Sequence, residues 1–314
     1  MPKLTLLYRD EMVPADEPAN YSTSPTKPRR FLEFLRQSPL WSHVNVSEDF
    51  APLTRDQLLL AHEARYVDAF MTGTPLALAE SNGLRWSPAF RDSVLLTNGC
   101  LLAAITAAAD HPEQLVMAPV SGFHHARPSE GSGFCTFSGQ VIAAVRLYRE
   151  RGLRGAWLDL DGHFGNSIED TRRFAPDLNA AIAPWANFNP SGSHQAYLSD
   201  LGDKLADLAG RAAAGEVDYI CVAHGADSHE WDQLGYQCST DEWLQAAEMV
   251  YQTLAAIRRD RAQISVTLAL FGGYRDDHPA SVLGLHAMDT ALALGHLAGA
   301  GDLSGYRAEV RSPR

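Results

Sequence analysis

Short runs of apolar residues alternate along the chain with longer segments in which apolar residues recur every three or four positions. The short runs predict strands at 4–8, 114–118, 156–160, 219–223 and 264–270. The longer segments predict helices at 31–36, 55–62, 66–70, 89–109, 141–151, 198–214, 241–259 and 281–297. Strands separated by helices indicate an α/β fold of three layers, in which helices cover both faces of a central, mostly parallel sheet.

The composition is that of a globular protein, with 46% hydrophobic and 20% charged residues. No change of composition divides the chain, so we expect a single catalytic domain over residues 1–314, with a polar tail at 307–314 that frays. Lys and Arg number 26 against 38 Asp and Glu, a net charge of −12, so direct binding of nucleic acid is not expected.

Membrane insertion and secretion are not expected either. No run approaches about 18 uninterrupted apolar residues, and the first residues lack the apolar core of a signal peptide. The four cysteines show no CxxC spacing, which favours free thiols in a reducing compartment. We therefore expect a cytoplasmic protein.

Unusual polar residues follow four of the predicted strands, after Ala118, Leu160, Ala223 and Leu270. In parallel α/β sheets, ligands bind outside the carboxyl ends of the strands. This coincidence predicts a functional site at that edge of the sheet.

Asp161 and His163 are two positions apart at a predicted strand end, where side chains of residues i and i+2 point the same way. Together they could bind a divalent cation, and Asp227 could complete a site with three protein ligands and an open position. His224 and His229 compete as ligands. The alternative interpretation is solvated acids, a surface histidine and a helix-capping aspartate.

Two further segments could supply proton transfer and oxyanion stabilisation. His124 and His125 stand together in a glycine-containing loop, and Tyr274 follows two glycines. The ordinary alternatives are a surface histidine pair and a packed aromatic ring. Cys135, in the segment 131–135, could be a nucleophile or part of a simple turn.

In this order, the segments 24–30, 122–126, 131–135, 159–166, 225–229 and 272–274 resemble the zinc-dependent histone deacetylase family of the arginase–deacetylase superfamily. Asp232 and the Leu234-Gly235 pair extend the match. The resemblance covers residues 20 to 300 and implies a bacterial-type, histone-deacetylase-like amidohydrolase with the arginase–deacetylase fold.

The resemblance also implies roles. Asp161, His163 and Asp227 would bind one catalytic Zn²⁺. The catalytic groups would be His124, His125 as general base and acid, Tyr274 against the scissile carbonyl, Asp159 orienting His124, and Asn166 orienting His125. Asp159 and Asp161 would border a structural K⁺ site. The substrate would contact Gly133 and Phe134 in the tunnel, Phe123 or Trp86 at the rim, and Arg30 near an inner cavity.

The substrate implied is an acylated lysine peptide or an acylated small amine, with acetylpolyamine hydrolysis as the alternative, and the oligomeric state is left open. Phe164 stands where many family members have a second histidine, so a histone tail is not implied. A ureohydrolase with two Mn²⁺ is disfavoured, because no further carboxylate follows at 164–166. A silent module that binds acylated amines and a cysteine hydrolase are weaker alternatives.

Overall fold

A computed structural model describes residues 3–16 and 22–313. Its sheet has strand order β2-β1-β3-β7-β6-β4-β5, and every pairing is parallel. The strands are β1 (Leu4–Leu7), β2 (Val44–Ser47), β3 (Leu115–Ala118), β4 (Gly155–Asp159), β5 (Asn187–Phe188), β6 (Tyr219–Ala223) and β7 (Ser265–Ala269). The predicted three-layer α/β fold is confirmed, with a sheet that is fully parallel.

Helices cover both faces of this sheet. They are α1 (Lys27–Arg36), α2 (Arg55–Leu58), α3 (Ala64–Thr72), α4 (Leu76–Ala79), α5 (Pro88–Asp110), α6 (Gly139–Arg151), α7 (Ser167–Thr171), α8 (Leu178–Ala181), α9 (Gln195–Ala213), α10 (Thr240–Asp260) and α11 (Pro279–Leu297). Short 3₁₀ helices occur at Asp10–Met12, Ser24–Thr26, Pro39–His43 and Ala226–Ser228. Helices α5 and α6 pack together, and α10 packs against both α9 and α11.

The five predicted strands are all present, with ends shifted by at most one residue. The sequence missed β2 and β5, which form the two edges of the sheet. An edge strand contributes few buried side chains, and β5 is only two residues long, so neither carries a strong apolar pattern. The predicted helix at 55–62 is also shorter in the structure, because it ends at Leu58.

Helix α5 is the one helix of the described ranges that is long and apolar enough to cross a membrane. In the structure 67% of its most apolar window is buried, and the helix packs on β3, β7 and α6. The apolar side chains of α5 therefore form part of the hydrophobic core. The side chain of Ser87 caps its first turn by accepting a hydrogen bond from the Phe90 N–H.

The end of the chain has no regular secondary structure from residue 307 to 313. It nevertheless contacts the fold, because the Arg311 N–H donates to Ser281 Oγ at 3.0 Å and the Arg311 carbonyl accepts from Arg275. Fraying of this tail stays a prediction, and any fraying would have to break these two hydrogen bonds.

Candidate active site

The four central strands β3, β7, β6 and β4 end at the same edge of the sheet. Their last residues pair directly, Ala118 with Ala269, Ala269 with Ala223, and Ala223 with Asp159. The polar segments that follow these strands are consequently neighbours in space, although they are far apart in the chain. This is the arrangement expected from the sequence.

Asp161, His163 and Asp227 meet at this edge. Their potential ligand atoms all lie within 4.8 Å of one another, and this is the only such group of three among the described residues. His163 Nδ1 lies 3.1 Å from Asp161 Oδ1 and 3.0 Å from Asp227 Oδ2. The structure thus brings together the three predicted ligands, which supply two oxygen donors and one nitrogen donor.

Backbone amides hold the two buried carboxylates in place. The Gly272 N–H donates to Asp161 Oδ2 at 2.8 Å, and the Gly162 N–H donates to Asp227 Oδ1 at 3.0 Å. Burial, followed by the charge of Asp161, raises the pKa of Asp227 to about 7, as expected for adjacent carboxylates without a cation. Gly272 is required here, because a side chain at this position would collide with the Asp227 carboxylate.

Neither competing histidine joins the three ligands. His224 Nδ1 is hydrogen-bonded to Asp289 Oδ1 at 2.8 Å, and the His224 ring stacks on Trp243. His229 Nε2 is hydrogen-bonded to the Thr240 hydroxyl at 2.8 Å. Both rings are therefore engaged in structural contacts.

His124 is buried and hydrogen-bonded to a carboxylate. Its Nδ1 lies 2.9 Å from Asp159 Oδ2, so Nδ1 carries the proton. Burial by itself would lower the pKa of His124, but the charges of Asp161 and Asp159 outweigh it and raise the pKa to about 9. The hydrogen bond places Asp159 where it can orient His124, and that role stays a prediction.

His125 is the neutral member of the pair. Its Nδ1 lies 2.8 Å from Asn166 Oδ1, and the Asn166 Nδ2 donates to Asp170 Oδ2 at 2.6 Å. Because this second bond fixes the amide, Asn166 accepts from His125, whose Nε2 is left with a lone pair. Burial, followed by the charge of His124, lowers the pKa of His125 to about 4.

Tyr274 lies beside the predicted metal ligand His163. Its ring centroid is 6.4 Å from that of His163, and its N–H donates to Asp232 Oδ2 at 2.8 Å. Among the described residues its hydroxyl has no hydrogen-bond partner, so this group is available to a substrate. Burial raises the pKa of Tyr274 well above its usual value, which keeps the hydroxyl protonated as a donor.

Lys27 is a part of the site to which the sequence assigned no role. Its side chain is buried, with 5% of the residue exposed, and its Nζ donates to the Phe271 carbonyl at 2.5 Å. Burial lowers the pKa of Lys27 to about 8. One sequence signal could have found it, because Lys27 lies four positions before the buried Phe31 and shares its helix face. Asp232, which accepts a hydrogen bond from the Tyr274 N–H, is also part of the family resemblance, but the sequence assigned it no role.

The residues predicted to contact the substrate differ in where they lie relative to the site. Phe134 packs against Tyr274 with ring centroids 5.7 Å apart, and the neighbouring Gly133 is exposed and adjoins His125. Phe123 is only 1% exposed, so it lies under the site and not at its rim. Its burial follows from packing against Phe271.

Trp86 packs against α3, and Arg30 lies beside Lys27. The Trp86 indole donates to the Phe70 carbonyl at 2.7 Å and covers Gly73, so its ring is turned towards α3. The contact of Trp86 with substrate stays a prediction. Arg30 lines a small pocket together with Lys27 and Gly273. The role of Arg30 stays a prediction.

Cys135 does not have the environment of a nucleophile. It is 2% exposed, and burial raises the pKa of its thiol, which disfavours the thiolate.

The K⁺ site stays a prediction. Asp159 accepts from His124 and from the Asp161 N–H.

Known proteins resemble this chain in sequence and in fold. Residues 21–179 match the family described as Histone deacetylase domain. An uncharacterized protein of Picosynechococcus is 30% identical over 242 residues, which cover 70% of this chain and 76% of that protein. The fold is a three-layer α/β arrangement of the arginase–deacetylase type. The chain belongs to the histone deacetylase family.

Named relatives are more distant. The acetoin utilization protein AcuC of Bacillus subtilis is 25% identical over 64% of this chain, and the chloroplastic histone deacetylase 10 of rice is 26% identical over 74%. The chain spans 60% of the length of each of these two proteins. The crystal structure of the HDA15 HD domain matches in fold, with a TM-score of 0.71, 16% identity, and coverage of 97% of this chain and 92% of that one.

Proposed function

We propose that this protein is a zinc-dependent amidohydrolase that hydrolyses the amide of an acyl-lysine or a related acylated amine. Family membership supports a deacetylase. The observation that carries the specific proposal is the position of a neutral His125 and a free Tyr274 hydroxyl beside the ligand set of Asp161, His163 and Asp227. A site that only bound substrate would not need these two groups.

The three-residue ligand set fits Zn²⁺. Two carboxylate oxygens and one imidazole nitrogen suit zinc or another divalent first-row ion, and three protein ligands leave a position for water or substrate. When bound, Zn²⁺ would supply a Lewis acid and lower the pKa of an attacking water. The positive charge of the ion would also compensate the buried carboxylates of Asp161 and Asp227, because burial of an uncompensated charge costs free energy.

His125 and His124 divide the proton chemistry between them. The free Nε2 of His125 accepts the proton of the attacking water and returns it to the leaving amine. His124 keeps the proton on Nδ1, because Asp159 Oδ2 accepts it at 2.9 Å. The ring centroids are 4.0 Å apart, so the positive charge of His124 keeps His125 from being protonated before the reaction begins.

Tyr274 acts on the carbonyl oxygen. Its protonated hydroxyl donates a hydrogen bond that strengthens as negative charge develops on that oxygen. Asp232 fixes the backbone of Tyr274, and two glycines precede it. The donor is therefore in position before the substrate binds.

The net charge of −12 favours a cationic substrate. Acetylated polyamines carry more positive charge than acetyl-lysine in a neutral peptide, so acetylpolyamine hydrolysis is the second candidate. A panel of acetyl-lysine peptides against acetylated polyamines, compared by kcat/KM, separates the two.

The central test removes and restores the metal. Turnover of an acetyl-lysine peptide is expected to disappear after chelation and to return with stoichiometric Zn²⁺, with about one ion per chain by metal analysis. Asp227→Asn should lose both the ion and the activity, whereas Asp241→Asn at the start of α10 should lose neither. Turnover that persists after verified metal removal would reject the proposal, and close to two ions per chain would revive the ureohydrolase.

A further inference from the structure

Asn166 precedes helix α7 but does not cap it. Its backbone is helical, with φ −82° and ψ −14°, and its side chain accepts no hydrogen bond from the first turn. Asparagine is favoured at this position because its side chain can accept from a free N–H of the helix. Here the side chain is bonded to His125 and to Asp170 instead. The amide therefore links a catalytic histidine to a carboxylate that has no other role in the site.

The start of α7 is fixed to the histidine pair through the backbone. The Ser167 N–H donates to the His124 carbonyl at 2.7 Å, and Ser167 Oγ lies 2.9 Å from Ser138 Oγ in the interior. One turn later, the Asp170 N–H donates to the Asn166 carbonyl at 2.9 Å. Side chains four positions apart lie on the same side of a helix, so the backbone holds Asp170 beside the Asn166 amide.

The amide of Asn166 has two orientations, and they impose opposite tautomers on His125. With Oδ1 towards the ring, His125 Nδ1 carries the proton, and Nε2 keeps the lone pair that a base needs. With the amide turned over, Asn166 Nδ2 would donate to Nδ1, and the proton of the neutral ring would lie on Nε2. The ring could then accept no proton at Nε2. The partner on the other side of the amide consequently decides whether His125 can act as a base.

Asp170 selects the first orientation. Its Oδ2 lies 2.6 Å from Asn166 Nδ2, and an ionised carboxylate offers only acceptors. Turning the amide over would bring a carbonyl oxygen against this charged oxygen, whereas the observed hydrogen bond to an ion is about twice as strong as a neutral one. Arg127 Nε lies 3.5 Å from the same oxygen, so a cation two positions after His125 also holds the carboxylate.

We propose that Asp170 is a positioning residue that sets the proton-accepting tautomer of His125 through the Asn166 amide. The inference rests on the proposed function, in which His125 Nε2 accepts the proton of the attacking water. The Asp170 side chain is 41% exposed, so its replacement removes no buried contact. A surface carboxylate outside the ligand set therefore belongs to the proton-transfer machinery.

Asp170→Asn removes the charge and lets the Asn166 amide take either orientation. We expect kcat/KM for an acetyl-lysine peptide to fall about tenfold, measured with zinc-loaded protein on the plateau of each pH profile. Asp170→Glu keeps the carboxylate and should stay within about threefold of the wild type. Asp177→Asn is the matched control, because Asp177 is 42% exposed and its Oδ2 lies 2.6 Å from Arg149 Nε. It should change kcat/KM by less than about twofold.

The Asn166→Asp background separates this role from a general loss of structure. A carboxylate at 166 accepts through both oxygens, so it needs no partner to orient it, and the charge of Asp170 would repel it. Asp170→Asn should therefore lower kcat/KM in the wild type but leave it unchanged or raise it in Asn166→Asp. A residue with a purely structural role would lower kcat/KM by the same factor in both backgrounds.

Nitrogen-15 NMR of the full chain with labelled histidine measures the tautomer without turnover. The signals of His125 are identified by their loss in His125→Gln. The wild type and Asp177→Asn should show a proton on Nδ1 and none on Nε2, whereas Asp170→Asn should shift towards the form protonated on Nε2.

The inference is overturned if the tautomer of His125 is the same in the wild type and in Asp170→Asn, or if Asp170→Asn changes kcat/KM by the same factor in both backgrounds. If no acylated amine is hydrolysed, the proposed function fails, and the tautomer measurement alone decides whether Asp170 orients His125.

Discussion

Lys27 Nζ donates a hydrogen bond of 2.5 Å to the carbonyl oxygen of Phe271, which is 244 positions later in the chain. Phe271 has a φ of +57°, a left-handed conformation that is unusual for a residue with a side chain. The same Nζ lies 5.8 Å from the centroid of the Tyr274 ring. Lys27 therefore fixes the turn that delivers Tyr274, and its charge lies near Asp161, Asp227 and Asp232.

Lys27→Met tests this positioning role. The substitution keeps the length of the side chain but removes the hydrogen bond and the charge, so kcat should fall about tenfold with little change in KM. The free energy of unfolding should change by less than about 2 kcal/mol, because desolvation of the buried amine opposes the lost bond. Lys204→Met, on the surface of α9, is the control. An unchanged kcat would show that Tyr274 holds its place without Lys27.

Asn166→Asp should shift the pH dependence of the reaction. The reaction needs neutral His125, so kcat/KM falls as the pH drops through the pKa of that ring. A carboxylate at 166 would stabilise the imidazolium and raise the pKa of His125 from its lowered value of about 4. The acidic limb of the kcat/KM profile should therefore move to higher pH. Asn179→Asp, at an exposed position whose side chain accepts from Arg172, should leave the limb in place. An unmoved limb in Asn166→Asp would contradict the assignment of His125 as base.

Tyr274→Phe removes only the hydroxyl. The loss of one donor to the developing oxyanion should lower kcat by about 10²–10³, and the metal content should stay the same. Tyr236→Phe, at a ring that is 75% exposed, should have no effect on turnover. A Tyr274→Phe variant with normal kcat would exclude this hydroxyl from the chemistry, and a wild type that binds but never turns over acylated amines would favour a binding module.

Cys135→Ala separates metal-dependent hydrolysis from cysteine chemistry. Because burial raises the pKa of this thiol, activity should stay within about threefold of the wild type. Cys221→Ala, at another buried thiol in β6, controls for loss of packing. Complete loss of turnover in Cys135→Ala alone, with fold and metal content intact, would support a cysteine hydrolase instead.

Local patterns were sufficient for most of the fold. The apolar runs identified the strands whose carboxyl ends meet, and the spacing of Asp161 and His163 placed two ligands on one side of an extended segment. Both inferences depend on the period of a strand and on the direction of parallel strands, which are local properties. The chain order of the motifs then indicated Asp227, His124, His125 and Tyr274 by family resemblance.

Packing between distant segments decided the rest. The sequence alone left His224 and His229 as possible ligands, and only the contacts with Asp289 and Thr240 remove them. It also gave no sign that Trp86 turns towards α3. The contacts of a side chain depend on which segments pack against it in the folded protein. The pattern of residues along the chain does not show which distant segments those are.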